Sequence, residues 1–224
     1  MDMTFKAVAF DMDGTLLDTK VDYVKMSNLL FDEMVRIGVP EKVLDRTEGS
    51  KFNIESGIGY LLENGRESEI YEMQSRINCA ATDIEMENVD LAKPFPGTIS
   101  IIKSIKQLGL PIGVLTRGSR KYAIKALTNA GVLDHIDTLV CRDDYPEKDA
   151  KPSPVAMENL AELMKVDCSQ IIFVGDHRFD YECAVNSGAK FIAVLTGTYD
   201  LDDWNKLGNG FHIMDSIADL EKLL

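Results

Sequence analysis

The sequence predicts an α/β protein in which a doubly wound, parallel, Rossmann-like sheet is interrupted by an all-helical insertion. Two observations predict the sheet: five short apolar runs recur along the chain, and helix-like segments separate most of them. A third predicts the insertion, because residues 18–92 hold no convincing strand but three amphipathic stretches. The expected division is therefore a core of residues 1–17 and 93–224 with a helical cap domain over 18–92. With 224 residues, the chain is long enough for one full core beside a smaller one.

The first strand is expected over residues 5–10, where Ala7-Val8-Ala9-Phe10 suits a strand buried on both faces. It ends abruptly at Asp11. In the insertion, Met26, Leu29, Leu30, Met34 and Ile37 share one helical face, and Ile54, Ile58, Leu61 and Leu62 a second. Ile70, Met73, Ile77, Ala80 and Ile84 make a third. Packing of these faces against one another explains them without a cofactor. The acidic residues 83–90 and Lys93-Pro94-Phe95-Pro96-Gly97, held extended by two prolines, read as the return linker, with hinges there and near residues 17–22. Further strands are expected over 112–115, 136–140, 171–174 and 191–195. Helices are expected after Pro96-Gly97, Gly118-Ser119, Pro152-Ser153 and Arg178-Phe179.

Composition narrows the function. At 45% hydrophobic and 27% charged residues the chain is a folded globular protein. A net charge of -13 argues against a nucleic-acid partner, whose phosphates such a surface repels. A small anion is still admissible where a divalent cation and a few basic residues reverse the local field. No membrane span or signal peptide is recognisable, so a cytoplasmic location without membrane partners is the expectation. Cys79, Cys141, Cys168 and Cys183 are scattered, without metal-site spacing, and read as buried free thiols. Gly57-Ile58-Gly59 lacks the third glycine and the preceding strand of a dinucleotide fingerprint.

Ligands of open parallel sheets bind beyond the carboxyl ends of the strands, so the residues that follow each apolar run are the ones to inspect. Asp11 and Asp13 follow the first run, Thr116 the second, and Asp176 the fourth, with Asp180 four residues on. Lys151 follows the third after a loop of about ten residues. Carboxylates converging on one crevice repel unless a cation neutralises them, and magnesium, which favours hard oxygen ligands, needs neither histidine nor thiol. A lysine beside them would offset remaining charge and hold a phosphate.

These motifs resemble those of the haloacid dehalogenase superfamily, in its phosphatase branch. Asp11-Met12-Asp13-Gly14-Thr15-Leu16-Leu17-Asp18 resembles the first motif, Thr116 the second, Lys151-Pro152 the third, and Gly175-Asp176 through Asp180 the fourth. The resemblance implies that Asp11 attacks phosphorus and becomes an aspartyl phosphate, while Asp13 protonates the leaving oxygen and later activates water. It gives Mg2+ to Asp11, the Asp13 backbone carbonyl and Asp176, with Asp180 ligating or supporting, and gives the phosphoryl oxygens to Thr116 and Lys151. Two departures stand out: Arg117 replaces a frequent asparagine, and His177-Arg178 replace a small residue. Arg117 is a candidate substrate contact or a rim ion pair, and His177 a hydrogen-bonded neighbour of the site.

The insertion's position after the first motif resembles a cap of the first type, in which Arg46 and Lys51 are candidate substrate contacts. A cap favours a small phosphorylated metabolite, of phosphoglycolate or sugar-phosphate type, hydrolysed by a monomer or homodimer. The alternative is a phosphomutase of the β-phosphoglucomutase type. Dehalogenases and phosphonatases of the superfamily lack the acid/base aspartate present here as Asp13.

Overall fold

The computed structural model describes residues 5–224. The chain divides into two compact units, one running up to Thr19 and resuming over Asp90–Leu224, the other Lys20–Val89.

In the first unit, six strands among the described residues form one parallel sheet: β1 (Ala7–Phe10), β4 (Ile112–Leu115), β5 (Thr138–Val140), β6 (Ile171–Gly175), β7 (Lys190–Val194) and β8 (His212–Met214). Their order is β5-β4-β1-β6-β7-β8, every pairing parallel. The chain builds outward on one side of β1 and then on the other. The predicted doubly wound α/β architecture is thus what the chain adopts, and its switch point opens beside the carboxyl end of β1. A separate antiparallel pair joins β2 (Leu17–Asp18) to β3 (Lys93–Pro94), where the sequence suggested an extended return linker and two hinges but no strand pairing.

Helices α4 (Thr98–Gln107), α5 (Arg120–Asn129), α6 (Pro154–Met164), α7 (Arg178–Ser187) and α8 (Leu201–Leu207) follow β3, β4, β5, β6 and β7. Local chemistry sets their starts: Ser119 caps α5, Pro154 opens α6 where its missing N–H costs nothing, and His177 caps α7. Ala7, Ala9 and Phe173 of the sheet join Met157, Leu160 and Met164 of α6, Ala184 of α7 and Trp204 of α8 in one core cluster. Small residues on β1 let α6 approach, and Gly113 on β4 does the same: a Cβ there would lie 2.8 Å from Met164 Sδ and 3.1 Å from Leu160 Cδ1.

The second unit is helical, with α1 (Tyr23–Arg36), α2 (Ser50–Glu63) and α3 (Ile70–Glu87). Met26, Leu30, Met34, Ile54, Leu61, Met73, Ile77 and Ile84 make its core, as the periodicity predicts. Phe31 and Ala81 join them, whereas Leu62, one residue and about 100° around the helix from buried Leu61, is exposed. No described helix is long and apolar enough to cross a membrane.

Some expected boundaries shift. The strand expected over 136–140 begins at Thr138, because Ile136 ends the tight turn Leu133–His135. β8 was not anticipated: three residues, with His212 exposed, leave no apolar run. All four cysteines are free, but only Cys141 and Cys183 are buried, and Cys79 is exposed on α3.

Gly113→Val is expected to overpack the α6–sheet contact and to cost about 1–3 kcal/mol of stability. A lowered urea midpoint with an unchanged slope would register it.

Candidate active site

The site grows from the turn after β1. Asp11 N–H donates to the Val174 carbonyl at 2.9 Å, which ties the turn to β6. Leu16 and Leu17 N–H both return to the Met12 carbonyl, at 3.0 and 2.9 Å, and Gly14 takes φ 83°, which its missing Cβ permits. The fold-back aims Thr15 Oγ1 at Asp176 Oδ1, 2.9 Å away at the end of β6. On the other side, Thr198 N–H donates to Asp176 Oδ2 at 2.8 Å. Two glycines close around this carboxyl: a Cβ on Gly14 would fall 2.6 Å from Asp176 Oδ2, and one on Gly197 only 2.0 Å.

Lys151 reaches the same place from the loop before α6. Its Nζ donates to Asp11 Oδ1 and, at 2.6 Å, to Asp180 Oδ1. The second oxygen of Asp180 accepts from the His177 N–H at 3.0 Å, within the cap of α7. One carboxylate oxygen each from Asp11, Asp176 and Asp180 lie within 4.8 Å of one another, and the three residues expose only 7, 2 and 2% of their surface. The donor set is all oxygen, which fits a hard divalent cation and no soft one.

Burial raises Asp11 well above the carboxylate range, against the pull of Lys151 and with the repulsion of Asp180, Asp176 and Asp13 behind it. Burial also pushes Asp176 up to about 6, aided by Asp180 and opposed by the hydrogen bonds from Thr198 and Thr15. Desolvation alone would lower Lys151, but Asp11 and Asp180 outweigh it and hold the ammonium charged above its usual range. His177 is lowered, chiefly by burial, so its ring is neutral at pH 7. Cys141 and Cys183, both pushed up to about 12 by burial, are poor nucleophiles.

Residues 8–194 match the family model of the haloacid dehalogenase-like hydrolases. The chain belongs to that family. The expectation of a family phosphatase is borne out, since its curated relatives carry that activity in their names. Phosphoglycolate phosphatase of Neisseria meningitidis is 29% identical over 202 residues, covering 88% of this chain and 83% of its own. N-acetylmuramic acid 6-phosphate phosphatase of Pseudomonas aeruginosa is 27% identical over 209 residues, covering 90% and 86%. The solved β-phosphoglucomutase of Clostridium difficile shares the fold at TM-score 0.64 and 18% identity, covering 98% of this chain and 95% of its own.

Of the residues singled out in the sequence, this haloacid dehalogenase-like chain brings Asp11, Asp176, Asp180 and Lys151 into one cluster. Asp13 is outside that trio of carboxylates, though close enough to repel Asp11, and its Oδ1 accepts from Thr19 Oγ1 at 2.7 Å and from the Tyr122 hydroxyl at 2.5 Å. Buried Thr116 accepts the Gly118 N–H on Oγ1 at 2.9 Å. Arg117 is spent on the protein: its guanidinium donates to the Lys151 carbonyl at 2.6 Å and pairs with Glu147 at 2.5 Å. It therefore braces the loop that presents the lysine. His177 Nδ1 accepts the Phe179 N–H at 3.1 Å as a helix cap, and Arg178 pairs with Glu182 at 3.4 Å. In the helical unit, Arg46 pairs with Asp32 at 2.6 Å and lies over the Phe31 ring, while Lys51 pairs with Glu55 at 2.5 Å. Tyr122, Gly197 and Thr198 were not anticipated, nor was the bond to Asp176 made by Thr15 of the first motif. Gly197 and Thr198 stand at the carboxyl end of β7, where inspection of the strand ends applies equally.

The raised Asp176 gives a signed pH dependence. Without a bound cation, its contribution to stability is fully present below the unfolded value near 3.8 and is lost as pH rises through about 6. In chelator, Asp176→Asn is therefore expected to gain about 3 kcal/mol on the parent between pH 4 and pH 8. Urea unfolding of both proteins across that range measures it, and parallel profiles would refute the assignment.

Proposed function

We propose that this phosphatase is magnesium-dependent and hydrolyses a small phosphomonoester, of phosphoglycolate or sugar-phosphate type, through an aspartyl phosphate on Asp11. The observation that carries this reading is the charge of the buried cluster. Three carboxylates, Asp11, Asp176 and Asp180, face one ammonium, Lys151, so a fully ionised cluster is short of two positive charges. A divalent cation makes up that difference, and a hard one matches the oxygen donors. Asp11 and Asp176, with the Asp13 carbonyl, are the residues assigned to hold it, and Asp180 supports them. When bound, magnesium supplies the positive field that lets a phosphate dianion approach three carboxylates.

The chain's own groups then divide the work. Lys151, charged and already bonded to Asp11, steers a phosphoryl oxygen to the nucleophile and opposes the burial that raises the Asp11 carboxyl. Thr116, at the end of β4, offers its hydroxyl to a second phosphoryl oxygen. Asp11 Oδ attacks phosphorus as the ester bond breaks, and Asp13 delivers a proton to the leaving oxygen. Asp13, now a carboxylate, takes a proton from the water that displaces phosphate from Asp11. The helical insertion follows the strand that carries Asp11, which is the chain position of a cap. The relatives' substrates by name, phosphoglycolate and N-acetylmuramic acid 6-phosphate, are both small phosphomonoesters and support that class here.

Phosphate release from a panel of small phosphomonoesters tests class and substrate together. Activity is expected to vanish in EDTA and return with Mg2+, to vanish in Asp11→Asn, and to fall about 10²–10⁴-fold in Asp13→Asn. Near-normal turnover by Asp11→Asn would sink the covalent mechanism. Conversion of a sugar 1-phosphate to its 6-phosphate, with no free phosphate, would make the protein a mutase.

A further inference from the structure

The reaction outlined above gives no part to Tyr122. Tyr122 lies in the first turn of α5, 1% exposed, and its hydroxyl donates to Asp13 Oδ1 at 2.5 Å across 109 residues of sequence. Its ring is placed by the loop that also carries Thr116. Gly118 leaves it room, since a Cβ there would lie 2.9 Å from Tyr122 Cδ1, and the Gly118 N–H is anchored on Thr116 Oγ1. The same Asp13 oxygen accepts from Thr19 Oγ1 at 2.7 Å.

We propose that Tyr122 is a positioning residue for the acid/base carboxyl, holding Asp13 by Oδ1 so that the transferable proton is carried on Oδ2. The proposal rests on the acid role given to Asp13 above. A carboxyl oxygen offers two lone-pair directions, and two hydroxyl donors occupy those of Oδ1. In the transfer, the Oδ2–H bond breaks and its proton goes to the leaving oxygen. The ester P–O bond breaks as the Asp11 O–P bond forms, and Asp13 is left as a carboxylate. Charge then grows on Oδ1, and hydrogen bonds to an ionised acceptor are roughly twice as strong as neutral ones. The Tyr122 bond is thus stronger in the transition state than in the ground state, the condition for accelerating the step. Its phenol also restrains the carboxyl from rotating out of reach of the leaving group.

The test uses Tyr122→Phe, which keeps the buried ring and removes only the hydroxyl. A nitrophenolate leaves phosphorus without needing a proton, whereas an alkoxide does not. The comparison is therefore kcat/KM for p-nitrophenyl phosphate against an alkyl phosphate such as glycerol phosphate, with Mg2+ saturating. Tyr122→Phe is expected to lower the alkyl value about tenfold or more and the aryl value less than about threefold. Equal losses on both esters would mean a merely structural role and overturn the proposal, as would no loss on either. Asp13→Asn in the same assay separates the two layers. If it too treats both esters alike, the acid role of Asp13 fails and the positioning claim falls with it; if it discriminates and Tyr122→Phe does not, only the positioning claim falls.

Discussion

Crowded negative charge at the ends of parallel strands is the constraint on which the rest of this structure depends. Asp11, Asp176 and Asp180 are buried within a few ångströms of one another, an arrangement that favours protonation or unfolding unless positive charge is brought in. Lys151 is the part of the answer that the chain supplies itself. It is buried, bonded to two of the three carboxylates, and held by a loop that Arg117 and Glu147 brace from behind. The backbone adds partial charge where it can, through Thr198 N–H on Asp176 and His177 N–H on Asp180.

That crowding sets demands on the fold. A doubly wound sheet brings the ends of β1, β4, β6 and β7 to one edge, so residues far apart in sequence share a crevice with few added turns. Close approach then requires that side chains be left out. Gly14 and Gly197 flank Asp176 with no space for a Cβ, and Gly175 stands under Asp180, whose Cβ would lie 2.5 Å from one added there. The glycines at these points are packing requirements of the charged cluster, and only Gly14 among the three also needs a positive φ.

The sheet and most of the cluster were legible in the sequence because both obey local rules. Buried parallel strands are short apolar runs, and chemistry follows them, so Asp11, Thr116 and Asp176 announce themselves by position. Lys151 was legible less directly, since a loop of about ten residues separates it from its strand. The rest depends on contacts that no spacing records. Arg117 carries charge at a strand end, as a substrate contact would, but its partners, Glu147 and the Lys151 carbonyl, are 30 and 34 residues away. Tyr122 looks like an apolar residue of an amphipathic helix, and nothing in its surroundings reveals that its hydroxyl meets Asp13. β8 escaped because an edge strand of three residues needs no hydrophobic run.

The small β2–β3 pair has a meaning of its own. Leu17 and Asp18 lead into the insertion, Lys93 and Pro94 lead out of it, and the two dipeptides are hydrogen-bonded side by side in antiparallel register. Further ties reach Leu16, whose carbonyl accepts from Phe95 N–H and Thr98 Oγ1. To the core, then, some seventy residues of helix enter through the stem of a hairpin. A stem of that kind can close over a two-residue turn or over a whole domain with the same backbone pairing. The length and fold of what is grafted there can therefore vary while the pairing of the stem stays the same.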